Sequence, residues 1–224
     1  PIDTALIDEL LALAEKKAAS KPRSKGVVFV DATGEHPNKH AKGVRAWNKI
    51  AGVTLHQTGI YMTNTAKRFY RLRAHIGIID PKGVGTIVQV YPLTTKLWHA
   101  NKLNPDTVGI EINGLFEGRA GKGLPKYQRH LKLCHPSMVQ IEAARKCIKW
   151  IRDEVARHGG ELKYVYAHRQ ASSTRQADPG SRVWQDVALW AEDNLGLSTR
   201  PKETRGKGRA IPAAWDPRQQ GVKY

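Results

Sequence analysis

A chain of 224 residues is long enough to bury one good core but too short for two full domains. Its 37 Lys and Arg against 20 Asp and Glu give a formal charge of +17, which favours anionic partners, either nucleic acid or a polyanionic cell envelope. No zinc-finger spacing, RNP motif or helix-turn-helix signature accompanies that charge, and no apolar run approaches the ~18 residues of a membrane span, so neither a specific nucleic-acid module nor an integral membrane protein is expected.

Leu6, Leu10 and Leu13, beside Ile7, Leu11 and Ala14, predict an amphipathic helix over 4–18 with Asp3 or Thr4 as its N-cap. Asp3, Asp8 and Glu9 stand where a secretory signal needs positive charge, so no signal peptide is read there. "SKPRSKG" (20–26) is a basic linker, and residues 1–25 are expected to pack as an extra N-terminal helix on the domain that begins at residue 26. "GVVFVDAT" (26–33) reads as a strand and 34–43 as a loop. "VTLHQTG" (53–59) is a short strand carrying His56, and "TNTAKRFYRLR" (63–73) predicts a helix capped near Thr63 or Asn64. "HIGIID" and "GTIVQVYP" flank Pro81-Lys82-Gly83 as a hairpin. "TVGIEING" (107–114) is a further apolar strand.

The best helix runs from Ser137 to His158. Ser137 and Gln140 form a capping box, Ile141, Ala144, Ile148, Ile151 and Val155 form a core stripe, and Gly159-Gly160 stops it. A strand over 163–168 and a helix over 183–195 come next, with at least one of Trp184 and Trp190 in the core. Cys134 and Cys147 lack metal-type spacing and read as reduced, partly buried thiols. The tail 198–224 holds seven Lys or Arg against two acidic residues and reads as irregular. The order implies an α/β fold: a single mixed central sheet flanked by helices over 26–197.

The chemistry collects at strand ends and loops, where ligands and catalytic groups tend to sit. His56 lies in one strand, His168 ends another, and Asp178 is held ten residues later on a Pro179-Gly180 turn. Two imidazoles and a carboxylate match a mononuclear catalytic zinc site, with three protein ligands and a fourth position for water. Their net positive charge with zinc would polarise a substrate carbonyl. His36, His40, His130 and His135 fall in polar loops. His158 falls at a helix C-terminus, where a cation is favourable.

The blocks "TLHQTG", "AHIGI", "LWHANKLNPDTVGIEING" and "AHRQASSTRQADPG", in this order over roughly residues 50–197, resemble the zinc-dependent N-acetylmuramoyl-L-alanine amidases. These share a fold with phage amidase lysins and animal peptidoglycan recognition proteins. The resemblance implies one zinc per chain on His56, His168 and Asp178, with Glu111 helping to activate the attacking water. It places His99 at the substrate cleft with Trp98 beside it. Asn113 shares Glu111's face by strand alternation and joins this substrate-contacting set. His75 opens a strand and reads as core or as a neighbour of the ligands; it is grouped with the cleft. Where relatives commonly carry a Lys two residues before the last ligand, this chain has Gln176, with Arg175 beside it. A neutral amide donates a hydrogen bond to an oxyanion without charge, so either residue is a candidate for that role.

The resemblance therefore implies a monomeric hydrolase of bacterial peptidoglycan, attracted to anionic envelope polymers. It would be made in the cytoplasm and would act on the wall after release, as a phage lysin does. The alternative is a peptidoglycan-binding module on the same fold that has lost catalysis.

Overall fold

Among the described residues, six strands form one sheet: β1 (Val28–Asp31), β2 (Gly52–Gln57), β3 (Ile76–Ile79), β4 (Thr86–Gln89), β5 (Thr107–Ile112) and β6 (Tyr164–Ala167). The computed structural model describes residues 26–35, 39–118, 131–199 and 208–219, so the helix expected over 4–18 and the linker up to residue 25 lie outside the described residues. The sheet order is β1-β4-β3-β5-β2-β6. Every pairing is parallel except β3 with β4. The mixed α/β sheet expected from the sequence is thus the observed one.

The antiparallel exception comes from the expected hairpin. Pro81–Gly83 makes a tight turn in which Lys82 and Gly83 take φ values of 52° and 73°. Glycine enters that left-handed region without steric cost, and a short link of this kind can join only antiparallel strands. The parallel pair β2 and β6 needs a long crossover, and the chain between β5 and β6 carries α2, a helix over Met138–Arg157.

That helix begins as its sequence dictates. Ser137 N–H donates to Gln140 Oε1 at 2.9 Å, and Gln140 N–H donates to Ser137 Oγ at 3.2 Å. Ile141, Ala144, Ile148, Ile151 and Val155 are all buried, against Leu55, Ile78, Ile87, Ile110 and Ile112 from one face of the sheet. Side chains alternate along a strand, so the residues between these point to the other face. The pairings His56↔Glu111, Glu111↔Gly77 and Gly77↔Val88 make one row across that second face.

Two helices differ from expectation. Instead of a helix over 63–73, the chain forms a single turn, α1, at Ala66–Phe69. Only Phe69 among its residues is buried, and Lys67, Arg68, Arg71 and Arg73 supply cations with no acidic residue in the segment to pair them. The last helix starts earlier than expected: α3 (Ser181–Val183) runs through a π-helical stretch, Trp184–Leu189, into α4 (Trp190–Leu195). Trp184 is fully buried and Trp190 packs at the edge of the core. Both cysteines are free. No helix among the described residues is long and apolar enough to cross a membrane.

The expected boundary between domain and tail does not coincide with the edge of the core. Residues 208–219 are irregular apart from a turn at Pro217–Gln219, yet Ile211 and Trp215 are 2% and 1% exposed and belong to the main apolar cluster. Arg218 adds an ion pair to Glu192 at 2.9 Å. Trp215→Ala should therefore destabilise the protein by about 3–5 kcal/mol in urea unfolding, the usual cost of emptying a buried aromatic site. A loss below about 1 kcal/mol, the level of a surface change, would show that this stretch does not belong to the core.

Candidate metal centre

The centre lies at the carboxyl ends of β2, β5 and β6, the edge of an open α/β sheet where ligands generally bind. His56 is the fifth residue of β2, and Glu111 is level with it on β5. Ala167, the last residue of β6, is paired with Leu55, so His168 comes level with His56 as the chain leaves the sheet. A loop then returns Asp178. Its Oδ1 accepts from Gln57 N–H at 2.9 Å, and its carbonyl accepts from Arg169 N–H at 3.1 Å.

Three potential ligand atoms converge. His56 Nδ1 and His168 Nδ1 are 2.9 Å apart, His168 Nδ1 lies 3.0 Å from Asp178 Oδ2, and His56 Nδ1 lies 3.9 Å from the same oxygen. All three residues are buried and form a group that could hold a metal ion. Ligand atoms held about 2.0–2.1 Å from a tetrahedral zinc lie about 3.3 Å from each other, a spacing that these three distances bracket.

Hydrogen bonds fix which nitrogen of His56 is bare. His99 Nε2 sits 3.3 Å from the carbonyl of Thr107 and 3.5 Å from its hydroxyl, whose own proton goes to Leu103 O at 2.8 Å. Both oxygens can only accept, so His99 Nε2 carries the proton and its Nδ1 is a lone pair. That lone pair accepts from His56 Nε2–H at 3.0 Å. His56 Nδ1 is then left unprotonated and directed at the other two ligand atoms. Outer hydrogen bonds of this kind set the tautomer and ring angle of metal-binding histidines. Glycine at 109 makes room for the arrangement, because a Cβ there would stand 2.7 Å from His99 Nδ1.

Burial and neighbouring groups keep His56 and His99 neutral. Burial, then the neighbouring His168, hold His56 well below the ordinary histidine range. Burial, then His168, bring His99 down to about 3. Glu111 moves the other way: burial first and the Asp178 carboxylate second raise it well above the usual carboxylate range, with Arg175 opposing. Glu111 Oε2 is buried without a hydrogen-bond partner among the described residues. A partnerless buried carboxyl oxygen is costly, and such groups at a cleft are candidates for proton transfer.

Of the other expected site residues, Trp98 is 62% exposed with Lys42 Nζ 4.9 Å from its ring centre, next to His99. Arg175 is exposed, and its charge acts on both His56 and Glu111. The carbonyl of Gln176 accepts from the Arg169 guanidinium.

Two residues grouped with the cleft are buried in the fold with their polar atoms engaged. His75 is fully buried: its Nδ1 accepts from Gly109 N–H at 3.0 Å, which leaves Nε2–H to donate to Thr95 O at 2.8 Å. Asn113 is 1% exposed and clamps the 60–64 loop. Its Oδ1 accepts from Met62 N–H at 2.8 Å, and its Nδ2 donates to Met62 O and to Asn64 Oδ1, each at 2.9 Å. Neither side chain has a polar atom left for a substrate. Gln57, by contrast, does not stand out in the sequence. Besides its backbone bond to Asp178, its Nε2 donates to Ala177 O at 2.6 Å and its Oε1 accepts from Phe116 N–H. Its only sequence signal is adjacency to His56.

The model of the N-acetylmuramoyl-L-alanine amidase family matches residues 46–181. The chain belongs to that family. The matched span holds all three candidate ligands of this amidase-family member and Glu111, and ends before residues 208–219. No curated protein matches the chain at a significant level. Among solved structures, it is similar to bumblebee PGRP-SA, with 18% identity and a TM-score of 0.52 over 77% of this chain and 98% of that one. Drosophila PGRP-LB gives 17% identity and a TM-score of 0.51, over 79% of this chain and 99% of that one. The N-acetylmuramoyl-L-alanine amidase LysC from Clostridium intestinale URNW gives 13% and 0.49, over 78% and 100%. At these identities the two recognition proteins share the fold.

The clamp at Asn113 predicts a phenotype different from that of a cleft residue. Asn113→Ala leaves the N–H and C=O of Met62 without their partner and should cost about 1–3 kcal/mol in chemical unfolding. Unchanged stability would show that the side chain has no such structural duty.

Proposed function

We propose that this amidase-family chain is a zinc enzyme that hydrolyses the amide between N-acetylmuramic acid and L-alanine in bacterial peptidoglycan. The observation that supports it most is the convergence of His56 Nδ1, His168 Nδ1 and Asp178 Oδ2 beside a partnerless Glu111, inside the family-matched span. A module that only bound peptidoglycan would need neither a complete ligand set nor a carboxyl oxygen held without a partner.

His56, His168 and Asp178 would hold one zinc per chain. When bound, the metal supplies Lewis-acid polarisation of the scissile carbonyl and lowers the pKa of water to near neutrality. Glu111 takes a proton from the attacking water and passes it to the departing amine of L-alanine. Its raised proton affinity suits that relay, because a general acid–base group works best with a pKa near the working pH. Arg175 brings positive charge to the same place and would stabilise the developing oxyanion, a role for which Gln176 is the neutral alternative. His99 holds His56 in its ligand tautomer, and exposed Trp98 offers an aromatic face beside it to the glycan or stem peptide.

The excess of cations suits a polymer bearing carboxylates and phosphates. Exposed attractions of this type are screened over about 8–10 Å at physiological ionic strength, so they would raise encounter rate rather than determine specificity. The site of action would be the cell wall, reached after release as by an endolysin.

Digestion of purified sacculi followed by mass spectrometry should yield free stem peptides beginning at L-Ala. A chelator should abolish their release and added zinc should restore it. Glu111→Gln should lower the rate by about 10²–10⁴, with zinc content and melting temperature nearly unchanged. Intact sacculi after digestion by the zinc-loaded protein would leave binding as the function. Full activity of Glu111→Gln would reject Glu111 as the proton carrier.

A further inference from the structure

We propose that residues 208–215, outside the span shared with the family, form a strap that positions two of the three metal ligands. The inference rests on reading His56, His168 and Asp178 as the metal centre. His56 is set in a central strand, whereas His168 and Asp178 both lie on the single loop after β6, and the strap bears on that loop.

Arg169, directly after His168, is the junction. Its N–H donates to Asp178 O at 3.1 Å and its carbonyl accepts from Arg209 N–H at 2.7 Å. Its guanidinium donates to Gln176 O and lies 4.8 Å from the ring centre of Trp215. Arg209 Nε donates to Ser173 O at 2.9 Å, further round the same loop. Contact is tight at both ends. A Cβ on Gly208 would stand 1.9 Å from Gln170 O, and one on Gly118 would stand 2.8 Å from the Trp215 ring and 2.5 Å from Ala177 O. Ala177 is the residue before Asp178.

The strap therefore holds the backbone at 169–170, 173 and 177, between and beside the two ligands, with Trp215 and Ile211 anchored in the core. None of these strap contacts touches β2. Loosening the strap would shift His168 and Asp178 together relative to His56, and a site whose ligand atoms already fit a small cation would lose that fit. Arg169, Arg209 and Trp215 are positioning residues in this scheme, acting through the loop that carries His168 and Asp178.

The full chain and its Gly208→Ala, Arg209→Ala and Trp215→Phe variants are titrated with zinc against a chromophoric chelator. Visible spectra of the cobalt-loaded forms and thermal unfolding of the metal-free forms are recorded alongside. Gly208→Ala, whose methyl must push the strap away from the backbone at Gln170, should weaken zinc binding by about 10–100-fold, as loss of outer supports does, and should alter the cobalt spectrum even well below the unfolding temperature of its metal-free form. Arg209→Ala should give a smaller loss in the same direction, and Trp215→Phe, which keeps a ring beneath Arg169, should retain near-normal affinity. Wild-type affinity and spectrum in both Gly208→Ala and Arg209→Ala would overturn the strap alone, even if either unfolds more easily. A wild-type chain that takes up neither zinc nor cobalt would overturn the metal centre and the strap with it.

Discussion

The bond from His56 Nε2 to His99 Nδ1 governs what the rest of the site can do. Because Thr107 holds the proton on the far nitrogen of His99, the near nitrogen must accept and His56 must present a bare Nδ1 inward. A buried lone pair facing a second imidazole and a carboxylate has little to gain from water. It has much to gain from a small cation, and burial that depresses the proton affinity of His56 removes the simplest competitor. The chain of acceptors from Thr107 through His99 thus gives three ordinary side chains the arrangement of a candidate ligand set.

The fold supports this bond through register rather than through loops alone. Parallel pairing of β2 with β5 and β6 brings His56, Glu111 and His168 level at one edge. The α2 helix seals the opposite face, so the row that contains His56 and Glu111 is free to be polar. Glu111 is half-buried on the same wall, and burial of its carboxyl together with the nearby Asp178 carboxylate raises its proton affinity.

Much of this was legible in the sequence where the physics is local. The capping box at Ser137 and Gln140, the 3-4-3-4 stripe of α2 and the turn at Pro81–Gly83 each obey short-range rules, and the structure keeps each of them. His56, His168 and Asp178 could be singled out because two histidines on strands and a carboxylate on a Pro-Gly turn are unusual together. Alternation along β5 tells which face Asn113 shares but not that the 60–64 loop covers it, since that depends on chain 50 residues away. His75 is ambiguous in sequence for the same reason: its partners, Gly109 and Thr95, come from separate segments. The basic amphipathic pattern over 63–73 suggests a longer helix than α1 because it carries no information about whether an apolar face will meet a partner. Trp215 and Ile211 stand out as possible anchors in Gly-, Pro- and Lys-rich sequence, but only the fold shows that both reach the core.

The tautomer of His56 is the most direct test of the metal centre, and long-range ¹H–¹⁵N correlation spectra of the histidine side chains report it. In the metal-free protein at neutral pH, His56 should carry its proton on Nε2 and show an unprotonated Nδ1. One equivalent of zinc should then move the Nδ1 resonances of His56 and His168 while the Nε2 proton of His56 stays in place. A His56 protonated on Nδ1, or a spectrum unmoved by zinc, would contradict the arrangement on which the proposed chemistry stands.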